Sequence, residues 1–189
     1  MGEGSEQPGH EVNVRAGDPV GAGVLYRAHA PFVGGFLLRL GAPREDMEDL
    51  TQEVFLVAHR RGGFVPGAAK PTTWLAEIAF RVWSNRKRSA RRRPADPVGD
   101  EVAALPGRDA DPEATTEARR ALERVQVCLD ALDLDHRAVF VLYELEGVKG
   151  ADIASALEVP VGTVYRRLHT ARERFRATYA TLIGATDGA

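Results

Sequence analysis

The chain has 189 residues, of which 44% are hydrophobic, enough for one large core or two small ones. Its single cysteine, Cys128, excludes an intramolecular disulfide and reads as a small buried apolar residue; the five histidines lack zinc-site spacing, and neither a signal peptide nor a run of roughly 18 apolar residues appears, which places the protein in the cytosol without membrane insertion. The net charge of -2 conceals a basic block, RVWSNRKRSARRR (81–93), and an acidic one, ADPVGDEVAALPGRDADPEATTE (95–117), and the basic block, continuing an amphipathic helix, is the footprint of a polyanion partner.

Apolar residues recur at intervals of three and four with little strict alternation, so the fold is expected to be all-α. Residues 1–19 read as a disordered head. A first helix is predicted over 20–40, with Leu25, Phe32, Phe36 and Leu40 inward, Pro31 bending it or delaying its start, and Gly41-Ala42-Pro43 ending it. The second, over 44–61, carries Leu50, Val54, Val57 and Ala58 on one face and Asp46, Asp49 and Glu53 on another. RGGFVPGAAKP (61–71) is too rich in glycine and proline to be other than a loop. The third helix starts near Thr72 and runs through Trp74, Leu75, Ile78, Ala79 and Val82 into the arginines before Pro94, completing a first domain over 20–93.

Residues 94–111, with Pro94, Pro97 and Pro106, read as a flexible acidic linker. A second helical domain is expected over 112–182: helices near 112–132 and 135–146, the latter broken at Gly147, then 150–157 and 161–179 separated by a tight turn. Residues 183–189 read as a disordered tail. In the last two helices Ile153, Ala154 and Leu157 face Val164, Leu168, Ala171 and Phe175, the pattern of a helix-turn-helix. Burying that stripe pushes Thr163, Tyr165, Arg166, Arg167 and His169 to the open side at the start of the second helix, where such units present base contacts. Arginine can grip guanine O6 and N7 with two bonds, and Thr163 beside the helix N-terminus can hold a phosphate.

LYRAHAPFVGGFLLRLG, EDMEDLTQEVFLVAHRR, TTWLAEIAFRVWSNRKRSARRR and VFVLYELEGVKGADIASALEVPVGTVYRRLHTARERF occur in this order, with the acidic linker between the third and fourth. Together, over nearly all of 25–179, they resemble the extracytoplasmic-function (ECF) family of bacterial RNA polymerase sigma factors. The resemblance implies two small domains, a region 2 bundle of three to four helices and a region 4 helix-turn-helix. It implies binding to core RNA polymerase, through the clamp helices of the largest subunit and the flap, and to promoter DNA, with an anti-sigma factor as a further partner, no enzymatic activity and no cofactor or metal.

Residue by residue, Asp46, Asp49, Gln52 and Glu53 fall in the segment that docks on the clamp helices, where carboxylates would meet arginines. Arg81, Asn85, Arg86, Arg88, Arg91 and Arg92 fall in the minus-10 reader, Asn85 at a position capable of base contact, and the loop FVPGAAKPTTW would form a pocket for a flipped base. Thr163, Tyr165, Arg166, Arg167 and His169 fall in the minus-35 reader. Three departures stand out. Glu158 replaces a turn glycine, Val148-Lys149-Gly150-Ala151 replaces a polar-aromatic-acidic helix start, and LDLDHRAVF lacks a leading proline, for which Asp133 or Asp135 could substitute as a cap. Two other readings compete. A stand-alone helix-turn-helix regulator has no use for the acidic and basic helices of the first domain, and a metal-dependent nuclease built on Asp46, Asp49 and Glu53 lacks a second ligand cluster.

Overall fold

The structure of the chain, a computed structural model, describes residues 18–67, 69–92 and 115–186. Helix α1 spans Ala22–Arg39; a 3-10 turn, Arg44–Asp46, leads into α2, Met47–Arg60; and α3 spans Pro71–Arg92. The second half contains α4 (Thr115–Asp130), α5 (Leu134–Phe140) continuing into a π-helical turn (Val141–Leu145), α6 (Gly150–Leu157) and α7 (Val161–Thr186). Among the described residues the one strand-like contact is an antiparallel bridge between Val20 and Phe64. Gly63, at φ +90°, makes this bridge attainable, since a Cβ there would lie 2.5 Å from the Val20 carbonyl oxygen.

Helices α1, α2 and α3 pack against one another around Leu25, Phe36, Leu37, Leu50, Leu75 and Ile78, all fully buried. Each such side chain contributes on the order of 1.5–3 kcal/mol of transfer free energy, which makes this core the first module's main source of stability. Trp83 belongs to it: the ring is buried and its N–H donates to the Leu40 carbonyl (3.1 Å), one of the oxygens left over where α1 ends. Trp74 is half-buried against Phe64, with ring centroids 5.7 Å apart. Pro31 neither delays nor interrupts α1, because it sits on the solvent face, where water can bond the carbonyl it leaves unpaired.

In the second module α4, α5 and α6 pack on α7 around Leu129, Val139, Leu142, Ile153 and Leu168, with Cys128 buried among the apolar residues. Asp133 supplies the cap of α5, accepting from the His136 backbone N–H at 3.1 Å and lying 2.7 Å from the His136 Nδ1. Partial burial pushes the Asp133 carboxyl up, but the His136 hydrogen bonds and the Arg174 charge outweigh it and hold the pKa below the ordinary value. Helix α7 continues to Thr186, so 183–186 are helical where a disordered tail was expected. The expected linker, 94–111, and most of the head, 1–17, lie outside the described residues.

The two modules, expected to be joined by a flexible linker, are docked on one another. Helix α6 packs on α3. Arg39 bonds Glu146 at 2.8 Å, Arg81 bonds Glu158 at 2.7 Å, and Gln126 donates to the Leu38 carbonyl at 3.4 Å. Arg137, only 8% exposed, donates to Asp130 (2.8 Å) and to the Leu132 carbonyl (3.1 Å). Its guanidinium occupies the space that a side chain on Gly41 would need, and Gly41 at φ +81° ends α1 in a left-handed conformation. Burial lowers the Arg137 pKa, while Asp130 opposes the shift.

Candidate nucleic-acid and polymerase-docking surfaces

The burial of Leu50, Val54, Phe55 and Ala58 fixes the rotation of α2 and turns Asp49, Gln52 and Glu53 to solvent. Glu48 joins them, its carboxylate accepting from Gln52 at 3.3 Å. Asp46 does not belong to this ridge. It lies half-buried in the preceding 3-10 turn and pairs with Arg86 at 2.9 Å, a clip between the start of α2 and the middle of α3. The ridge ends instead on Leu56, an apolar side chain left 56% exposed. Sequence patterning passed over it, although its position one turn beyond Gln52 and Glu53, on the polar face, was the available signal.

On α3, burial of Leu75, Ile78, Ala79, Val82 and Trp83 leaves Arg81, Asn85, Arg88 and Arg92 aligned at helical spacing along one flank of the buried stripe. Asn85, Arg88 and Arg92 are exposed. Arg81 is engaged twice, by Glu77 at 3.3 Å and by Glu158 of the other module, and its hydrogen bond to Glu158 is the main cause raising its pKa. Arg86 is held by Asp46, so these two arginines are structural in this arrangement. The side chain of Arg91 lies outside the described residues. The loop ahead of α3 borders an open cleft of about 400 Å³ against α1, lined chiefly by Val20, Val24, His29, Phe64, Pro66 and Lys70.

The helix-turn-helix forms as its apolar stripe requires, with Ile153, Ala156, Val164, Leu168 and Ala171 buried. The turn passes through Glu158 at φ 53° and ψ 44°, the one non-glycine residue with positive φ among those described. Tyr165, Arg166 and His169 are exposed together over the first turns of α7, and Thr163 is half-exposed beside them. Arg167 is different. It is half-buried and bonded to Asp135 at 2.6 Å, which fixes α7 to the start of α5. Farther along, Arg172 bonds Glu144 at 2.6 Å and lies over the Tyr143 ring, and Arg174 approaches Asp133 at 3.3 Å.

Two family models match this architecture, sigma-70 region 2 over residues 25–93 and sigma-70 region 4 over residues 122–175. The ECF RNA polymerase sigma factor SigL of Mycobacterium tuberculosis is 32% identical over 163 residues, an alignment covering 84% of this chain and 88% of that protein. The chain belongs to the ECF family of RNA polymerase sigma factors. SigE of Mycolicibacterium smegmatis is 31% identical over 80% of this sigma factor, which spans only 59% of that relative's length. Among solved structures, the sigma factor RpoE of Bartonella quintana, in complex with the anti-sigma factor NepR, aligns with a TM-score of 0.59 at 19% identity over 81% of this chain and 92% of that one. CnrH, in complex with the cytosolic domain of CnrY, aligns with a TM-score of 0.53 at 24% identity over 87% and 88%. These two likenesses concern the fold. In the sigma factor, region 2 contains the acidic ridge and the basic helix, and region 4 contains the helix-turn-helix.

Proposed function

We propose that this sigma factor binds core RNA polymerase in the cytoplasm, gives it promoter specificity by reading minus-10 and minus-35 elements, and assists melting of the duplex. The observation that carries the reading is the presence, in one chain, of an exposed acidic ridge on α2, a basic face on α3 and an exposed polar start to α7. A stand-alone helix-turn-helix regulator would use only the last of these. Asp49, Gln52 and Glu53 dock on basic residues of the polymerase clamp, with Leu56 as an apolar contact at the ridge's end. Asn85 contacts a base near the melted segment, and Arg88 and Arg92 neutralise phosphates. Arg166 and Tyr165 face base edges of the upstream element, and Thr163 and His169 sit at the backbone.

The docked modules add a condition to this mechanism. Arg81 is partly committed to Glu158 in this arrangement, so a phosphate on α3 and region 4 share the same guanidinium. Arg86 is likewise partly committed to Asp46. Separation of α6 from α3 would release Arg81 fully for a phosphate, and residues 94–111 stand between the two modules in sequence. An anti-sigma factor that clasps both modules would act on the same equilibrium by holding them out of reach of DNA.

Run-off transcription with purified core polymerase, this protein and a library of promoters tests the reading. Transcripts that depend on the protein and share two upstream elements are expected. Folded protein that starts no transcript on any template would overturn it.

A further inference from the structure

Tyr165 is 52% exposed on the open side of α7, and its ring packs against two neighbours. A Cβ built on Gly150 would lie 2.7 Å from the phenol oxygen and 2.8 Å from the ring carbon that bears it, so the ring rests on the bare backbone of the first residue of α6. Gly150 is not among the glycines with positive φ. Its backbone would accept any side chain, and helix propensity would favour alanine. What excludes a side chain is Tyr165. On another side the ring meets Tyr143 edge-on, with centroids 6.5 Å apart and planes at 73°. Tyr143 is itself covered by the Arg172 guanidinium, 5.4 Å from its centroid, and Arg172 is tied to Glu144.

A ring packed against two neighbours has less rotamer freedom to lose on entering a groove than an unsupported one, which favours selective contact over adaptable contact. We propose that Gly150 and Tyr165 are a size-matched pair: Gly150 is a positioning residue that seats the ring, and Tyr165 in that seat is a specificity-determining residue for the upstream promoter element. This rests on the promoter-reading function proposed above. A methyl group at 150 cannot be accommodated by bending a rigid phenol. The ring must swing about its Cβ, which moves the surface offered to DNA while Arg166 and the buried stripe stay in place.

The test compares wild type, G150A, Y165A and G150A/Y165A in thermal unfolding and in run-off transcription over a promoter library. Alanine at 150 should lower Tm when Tyr165 is present and raise it in the Y165A background. Upstream base preference should change in G150A and in Y165A, and the double variant should match Y165A alone. A rise in Tm for G150A with Tyr165 present, or an upstream preference unchanged in G150A or in Y165A, overturns the pair while wild-type transcription leaves the sigma reading intact. If wild type starts no transcripts, that reading fails, and the reversal in Tm still decides whether the two residues are matched. Should G150A fail to fold, a folded double variant supports the pair and a misfolded one overturns it.

Discussion

Glu158 is where two effects of opposite sign can be separated by substitution. Its left-handed conformation, φ 53° and ψ 44°, costs a residue with a Cβ about 1 kcal/mol relative to glycine. Its carboxylate bonds Arg81 across the module boundary at 2.7 Å, but with side-chain exposures of 71% and 38% that pair is solvent-screened and contributes only a few tenths of a kcal/mol. Strain relief outweighs the lost pair, so E158G is expected to stabilise the protein by about 0.5 kcal/mol, or roughly 1–2 °C in Tm. E158A keeps the strain and loses the pair, and should destabilise by a few tenths of a kcal/mol. Circular-dichroism melts of the two variants at low and high salt are the assay. The E158G gain should persist in salt, whereas the E158A deficit should shrink as the pair is screened. A clear fall in Tm for E158G at low salt would refute the reasoning, because the bridge would then outweigh the backbone strain.

Asp49→Ala should weaken association with core polymerase about tenfold whatever the promoter, measured by fluorescence anisotropy, whereas Arg166→Ala should leave that association unchanged and cost about 1–3 kcal/mol of discrimination at one upstream base. Arg88→Ala should weaken promoter binding uniformly across sequences and reduce the salt slope of the polymerase complex by about one. Arg137→Ala strips Asp130 and the Leu132 carbonyl of their buried donor and should cost about 2–3 kcal/mol, read as a loss of roughly 4–12 °C in Tm. Asp133→Ala removes the α5 cap and should cost about 1 kcal/mol at neutral pH. Because the Asp133 carboxyl is held below its ordinary pKa, its contribution is complete above that ordinary value and is lost as pH falls through the depressed one. The Tm gap between wild type and D133A should therefore narrow as pH falls below about 4, the ordinary aspartate value.

Helix identity and order were legible from periodicity alone. The stripe of Leu50, Val54 and Ala58, and that of Ile153, Val164 and Leu168, are short-range patterns whose burial follows from helical geometry, and the polar faces opposite them follow with equal necessity. The cap of α5 was a local matter, narrowed by residue type to Asp133 or Asp135, whereas the strained turn at Glu158 was legible only through the resemblance, which places a glycine there. Which charges are engaged was not local. Asp46 with Arg86, Arg81 with Glu158 and Arg167 with Asp135 are pairs separated by tens of residues, and a helical wheel cannot distinguish a charge facing solvent from one facing another helix. The same holds for Gly150, which looks like an unremarkable weak helix start until the ring of Tyr165 is found in the space its side chain would fill. Periodicity encodes which side of a helix is wet; only the packing of one helix on another decides which residues on that side already have a partner.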